Sequence, residues 1–388
     1  MQKTLLLLIT LTLLPLPTTA QTQLSGTVTD ATTNQPVAFA TVYLDGTSSG
    51  DITADDGTFT ISVTTDRRPL SLVISHLNYE NRTLAVADPA RPLSVHLQPG
   101  GNELTQIQVA DVNQRKKNLR EFRNRMFGTD DWGLNVELLN EEVLRFDRDL
   151  YSDSTNRFAG GPRIRIQPAG GAANDGFRPV NRARNLKAKS QDALRLELPD
   201  LGYTLRLDLV DYLSDYPSGQ MSYLGTSFFR EIPTTRKSVR KRYLRNRHRA
   251  YYGSQLHFIR SLVADSLNYN GFQVVEILNP DAIGVDPVTQ PIFLKEYLTA
   301  QPDGSYRLSG LKNRTLAILY YFDTGYKPLP PWRRLRSSRP LQSRLLFKGD
   351  AVLYPDGTSG NTNLVFSGDI GSRGLGWWLP SDFQPGYD

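Results

Sequence analysis

Between residues 24 and 97, apolar and polar residues alternate in short runs separated by Gly, Pro and Asp turns. The runs are Leu24-Ser25-Gly26-Thr27-Val28, residues 37–44, Phe59-Thr60-Ile61-Ser62-Val63, residues 70–74 and Leu93-Ser94-Val95-His96-Leu97. They recur at about 10-residue spacing, the rhythm of a small antiparallel β-sandwich in which every second side chain faces the core. Asp55-Asp56-Gly57 supplies a tight turn between the second and third runs. Gly57 is free to take positive φ there, the aspartates can bond nearby backbone, and a strand starts at Thr58.

Several blocks in this stretch closely resemble the carboxypeptidase-regulatory-like domain family. They are Gly26-Thr27-Val28-Thr29-Asp30, then Gln35-Pro36-Val37-Ala38-Phe39-Ala40-Thr41-Val42-Tyr43-Leu44-Asp45-Gly46-Thr47, then Thr53-Ala54-Asp55-Asp56-Gly57-Thr58-Phe59 and Leu72-Val73-Ile74-Ser75-His76-Leu77-Asn78-Tyr79. Ala54 stands where the family commonly has aspartate and Asn78 where it commonly has glycine, both turn variations. The resemblance covers about one fifth of the chain. It implies a seven-stranded, transthyretin-like sandwich without a catalytic role, a module named for its place beside the catalytic domain of some metallocarboxypeptidases.

Residues 1–20 combine Lys3, an apolar run over 5–14, and the small residues Thr18 and Ala20, the pattern of a secretory signal peptide. Pro15 and Pro17 interrupt a run too short to cross about 30 Å of hydrocarbon, so no transmembrane segment is expected after cleavage. The chain has no cysteine, which excludes disulfides and a lipid-modified start, so an exported protein of this kind is held together by burial alone. Its 388 residues suffice for two or three cores. The balance of 45 basic and 39 acidic residues is uneven in place. Arg236, Lys237, Arg240, Lys241, Arg242, Arg245, Arg247 and Arg249 are eight cations with no acid among them, and removing them takes the net charge from +6 to −2. The basic character is therefore local, and a general affinity for nucleic acid is not implied.

Gly100-Gly101 ends the sandwich and opens a linker over 100–113, whose extended residues resemble those following the same module in TonB-dependent outer-membrane receptors. The 279 residues after position 109 are too few for a plug and a barrel of about 22 strands, which excludes a transporter of that kind. Residues 114–128 read as a helix with Leu119, Phe122 and Met126 on one face, and 158–189 as a Gly-, Arg- and Asn-rich loop or poorly defined strands. Strands are expected at 194–198, 203–212, 220–224, 272–277, 306–308, 315–321, 345–347, 351–354 and 364–366. The basic block opens one long helix after Pro233, capped by Thr234 or Thr235, running to about residue 264 with Val239, Tyr243, Asn246, Ala250 and His257 near one face and a bend at Gly253. Trp377-Trp378-Leu379-Pro380 is apolar enough to dock on the core. The expected fold is thus mostly β with α+β: a sandwich over 21–99, the linker, and an α+β domain over 114–388. Residues 203–212, 222–225 and 251–258 resemble an uncharacterised region accompanying this sandwich in secreted proteins of gram-negative envelope bacteria.

Catalytic constellations are poorly represented. A zinc peptidase needs two imidazoles and a carboxylate around one open position. None of His76, His96, His248 and His257 has a carboxylate at suitable spacing, so no metal, cofactor or catalytic residue is assigned. Gly46-Thr47-Ser48-Ser49-Gly50 spells the serine-hydrolase elbow but falls in a sandwich loop, without the strand–turn–helix context the elbow requires. The acid pairs Asp208 with Asp211, Glu141 with Glu142 and Asp147 with Asp149 are of the kind glycoside hydrolysis uses, or else read as solvated turn or helix-surface groups. The eight cations at 236–249 read as an anion-binding face, as a merely solvated helix, or as a helix paired to acids such as Asp208, Asp211, Asp215 and Glu231. Tyr251, Tyr252, Trp332, Trp377 and Trp378 suit sugar stacking or core packing.

The expected function is that of an exported, non-enzymatic envelope protein of the periplasm, outer-membrane periphery or exterior. Its sandwich binds or scaffolds, and its C-terminal region engages an anionic glycan, lipopolysaccharide or an envelope protein, not nucleic acid. The alternative is a carboxypeptidase-type hydrolase with its active site in 110–388.

Overall fold

Seven strands precede the first helix and form the expected sandwich: β1 Gln23–Asp30, β2 Thr41–Leu44, β3 Gly50–Ile52, β4 Thr58–Ser62, β5 Leu70–Ser75, β6 Arg82–Val86 and β7 Leu93–Leu97. The computed structural model describes residues 22–63, 65, 67–100, 112–149, 183–281, 286–335 and 339–386. The signal segment expected over 1–20, most of the 100–113 linker and the 158–189 loop as far as residue 182 lie outside the described residues. One sheet has the order β4-β1-β7 and the other β3-β2-β5-β6, with β1 and β7 parallel and the remaining pairs antiparallel. The alternation read in the sequence becomes the interior: Leu24, Val28, Val42, Leu44, Phe59, Ile61, Leu70, Leu72, Ile74, Val95 and Leu97 share one core. Gly57 has φ +75°, and a Cβ there would lie 2.4 Å from the Val28 carbonyl oxygen, so the turn requires glycine.

The chain continues through α1 Val112–Met126, α2 Asp131–Leu134, β8 Glu137–Leu138, β9 Leu144–Asp147, β10 Asn185–Ser190, β11 Leu194–Leu198, β12 Tyr203–Asp215 and β13 Met221–Glu231. The pairs Lys187↔Asp147 and Leu196↔Leu138 keep one register, so β8 with β9 and β10 with β11 are two interrupted strands, and with β12 and β13 they make an antiparallel meander. Strand β10 begins inside the 158–189 stretch read as a loop or poorly defined strands. On one face of this sheet Leu196, Leu205, Leu207 and Tyr212 pack with Phe122 and Met126 of α1. Trp132, Trp377, Trp378 and Leu379 cover that core, as the apolar tail suggested.

The long helix expected after Pro233 is instead two, α3 Lys237–Tyr251 and α4 Gln255–Val263. Gly253 takes φ +69° between them, where a Cβ would lie 2.6 Å from the Tyr320 ring. Ser254 then caps α4 by accepting from the His257 amide. Neither threonine caps α3: the N-cap is Arg236, without a side-chain cap, and the Thr234 hydroxyl accepts only from the Arg236 amide. Beyond them lie β14 Phe272–Ile277, β15 Thr289–Pro291, β16 Leu298–Ala300, β17 Tyr306–Leu308, β18 Thr315–Tyr320, β19 Leu341–Phe347, β20 Ala351–Leu353 and β21 Leu364–Gly368. They form the sheets β15-β14-β18-β19-β21 and β16-β17-β20, with Phe258, Ile259 and Leu262 of α4 in their shared core.

Candidate functional site

Alternation fails at two sandwich positions, and the failure locates a junction. Tyr43 and Val73 point away from the sandwich core yet are buried, because Phe228 of β13 packs on both. The Tyr43 and Phe228 rings stack with centroids 5.0 Å apart. Around this plug the Tyr43 hydroxyl donates to Asp208 at 2.7 Å, Arg206 donates to the Ser75 hydroxyl at 2.7 Å, and the Ser227 amide donates to Asp45 at 2.8 Å. Burial pushes the Tyr43 hydroxyl and the Asp45 carboxyl above their usual ranges. The sandwich therefore braces the face of the meander opposite α1.

The turn carrying the elbow-like string is part of that brace. Its Ser48 hydroxyl donates to Asp382 at 2.8 Å, the Ser381 amide donates to the Gly46 carbonyl at 2.7 Å, and the Phe229 amide donates to the Thr47 carbonyl at 3.0 Å. Arg260 fixes the tail from the other side by donating to the carbonyls of Asp356, Ser381 and Phe383 at 2.7–2.9 Å. The string is a structural contact in a loop, in the setting the sequence suggested.

The eight cations separate by position on α3. Arg247 is buried: it donates to the carbonyls of Leu201 at 2.8 Å and Gly202 at 3.1 Å and to Glu231 at 2.5 Å, and its guanidinium lies 3.9 Å from the Tyr203 ring centroid. It anchors the helix and does not belong to an exposed face. Arg236, Lys237, Arg240, Lys241, Arg242, Arg245 and Arg249 are exposed. Lys237, Lys241 and Arg245, spaced by four residues, follow one stripe directed away from buried Ala250. Among the described residues, no carboxylate pairs with any of these seven. Of the four acids considered as partners, only Glu231 pairs, and only with Arg247; Asp208 meets Arg206, and Asp215 accepts from Ser218. Arg249 has aromatic neighbours, lying 4.7 Å from the Tyr326 ring and 5.3 Å from that of Trp132.

The sequence reading missed that α1 adds to this surface. Lys116, Lys117, Arg120 and Arg125 are exposed there, and a shallow depression of about 430 Å³ is lined by Lys117, Arg120, Arg125 and Arg148 around Glu121. A second depression lies between Arg123 of α1 and Arg242 of α3 and is also lined by Glu137 and Asp200, so the two basic helices border one surface with carboxylates between them. The available signal was six cations and one acid over 112–126.

The histidines do not converge. His76 Nδ1 accepts from the Asn78 amide at 3.2 Å, His96 Nδ1 meets the Thr29 hydroxyl at 2.8 Å, and His248 lies beside Tyr252 and Phe383. His257 is sealed among aromatic rings, and burial lowers its pKa to about 3. Among the described residues, no group of three or more His, Asp or Glu is placed to hold a metal ion, and no helix is long and apolar enough to cross a membrane. Of the acid pairs, Asp149 is held by Lys187 and Asn185, while Glu141 and Glu142 stand exposed on a short turn.

A search of curated proteins gave no match. Among solved structures, a protein from Bacteroides fragilis described as membrane-associated and of unknown function is 15% identical, covering 53% of this chain and 94% of its own, with a TM-score of 0.16. A likeness that slight carries no argument. In the comparison with protein families, residues 24–109 match the model of the CarboxypepD_reg-like domain, a span that takes in the sandwich strands.

Proposed function

We propose that this chain is a non-enzymatic protein of the cell envelope whose sandwich, over 21–99, is a scaffold for a C-terminal α+β unit over 114–388 that presents a cationic surface to a polyanion. The observation that carries the reading is the set of seven exposed cations over 236–249, three of them in the α3 stripe, without a carboxylate partner among the described residues. Guanidinium and ammonium groups in that setting are free for phosphate or carboxylate. The α1 cations widen the surface and favour an extended ligand over a small one. In an envelope, the matching chemistry is that of an acidic glycan or a lipopolysaccharide. The signal-like residues 1–20 support export. The boundary after the sandwich is supported by its own apolar core, separate from the cores of the meander and of the α4 sheets.

The test is retention on immobilised heparin, a polyanion of defined charge, as salt is raised. Retention that falls with salt, and elution of Lys237→Gln/Lys241→Gln/Arg245→Gln at lower salt than the parent, are expected. Absent retention, or retention indifferent to salt or to these substitutions, refutes the reading.

A further inference from the structure

We infer that the loop bearing Trp332 and Leu335 is a membrane-interface contact that seats on an anionic phospholipid surface. Residues 324–335 and 339–349 contain no carboxylate and six cations, Lys327, Arg333, Arg334, Arg339, Arg344 and Lys348. Within the first of these stretches Trp332 is 73% exposed and Leu335 72%, and Tyr269, 65% exposed, lies beside Trp332 with ring centroids 6.1 Å apart. Single exposed apolar residues are ordinary on a protein surface; a Trp and a Leu on one fastened loop with a Tyr of the α4–β14 turn beside them are not.

The fastening is specific. Pro330 and Pro331 open a short 3-10 turn over Pro331–Arg333, which limits the backbone. Arg334 turns inward, donating to the carbonyls of Leu329 at 3.0 Å and Asn268 at 3.2 Å, with its guanidinium 4.4 Å from the Tyr321 ring. With Arg334 inward, its neighbours Arg333 and Leu335 are left exposed. The loop thus holds large apolar groups in water without relaxing onto the core, and little ordering remains to be done on contact.

Charge decides the occupant. Lys327, Arg333 and Arg339 are exposed and, among the described residues, have no carboxylate partner. Indole and phenol rings favour the headgroup level of a bilayer, and adjacent cations favour anionic headgroups. A stacked sugar fits less well, because the Tyr269 and Trp332 rings are inclined at 52° and Leu335 has no flat face. The inference does not require α3 to bind anions, although Arg249 reaches Tyr326 at the start of the loop.

The experiment is cosedimentation of the full chain with phosphatidylcholine vesicles, with and without phosphatidylglycerol. Binding to the phosphatidylglycerol vesicles alone, weakened by salt, is expected. Trp332→Ala/Leu335→Ser should lower partitioning at least about tenfold, because both apolar side chains leave the interface. Trp332→Phe should bind while losing the vesicle-induced blue shift in Trp emission. No cosedimentation by the parent overturns the inference. So does undiminished binding by Trp332→Ala/Leu335→Ser when the α3 triple substitution abolishes it, since the stripe alone would then carry the contact. Retention on a neutral polysaccharide that this double substitution removes also overturns it, in favour of a glycan.

Discussion

Replacing His257 by Asn should remove a pH dependence of stability that the structure locates in one ring. His257 is 3% exposed, its Nδ1 accepts from the Gly253 amide at 3.2 Å, and Tyr251, Tyr252, Phe272 and Tyr320 surround it with centroids 4.9–5.8 Å away. Burial, then Arg260 and Arg373, lower its pKa from 6.5 to about 3. The unfolded ring therefore binds a proton between pH 6.5 and about 3 while the folded ring stays neutral, so stability falls as pH falls through that window. From pH 7 to pH 5 the loss amounts to about 2 kcal/mol, or roughly a 25-fold drop in hydrogen-exchange protection of the α4 amides after correction for intrinsic exchange. Asn keeps an acceptor for the Gly253 amide and does not ionise, so the variant is less stable at pH 7 through lost packing but lacks this slope. Asp45 acts in the opposite sense, since burial raises its pKa and its contribution weakens as pH rises. The lowered carboxyls Asp30, Asp56 and Asp303 lose stability only in more acid solution. Because the parent and His257→Asn share all of these, their difference isolates the ring. Equal pH 7 to pH 5 losses in the two proteins would refute the reasoning.

Phe228→Ala should destabilise the junction by about 3–5 kcal/mol, seen as a lowered melting temperature, because it removes the ring on which Tyr43 stacks; an unchanged melting temperature would show that the polar contacts suffice. Arg247→Ala should cost about 1–3 kcal/mol by stranding the Leu201 carbonyl, with little from Gly202, whose carbonyl keeps the Ile232 amide, or from Glu231, which is 65% exposed. Arg247→Lys should recover less than half, since one ammonium cannot reproduce the planar fork, and full recovery in thermal melts would contradict that geometry.

The sandwich was legible because each strand has one buried face, which writes a period of two into residues 24–97. Tyr43 and Val73 escaped the pattern because their partner, Phe228, lies more than 150 residues away in sequence. The segment after Pro233 reads as one bent helix where the structure has two, since Gly253 marks a bend and a break equally well and the Tyr320 ring beneath it distinguishes them. Equal charge density hid unequal roles. Arg247 differs from Arg245 in where helix rotation places it against β12 and β13, a property of the assembled sheet. The Trp332 loop left a signal in the sequence, a long run without carboxylates, whose meaning depended on the exposure of Trp332 and Leu335.

The contact between Ser48 and Asp382 joins residues 334 positions apart. Closing it demands a large loss of chain freedom that nearby contacts do not offset, so it belongs late in folding. The sandwich can mature early as a local product of its own strands. Its outer flank, with Tyr43 and Val73 uncovered, then waits as a sticky surface until β13 and the final residues arrive, and cutting the chain short of Asp382 would leave that latch without its catch.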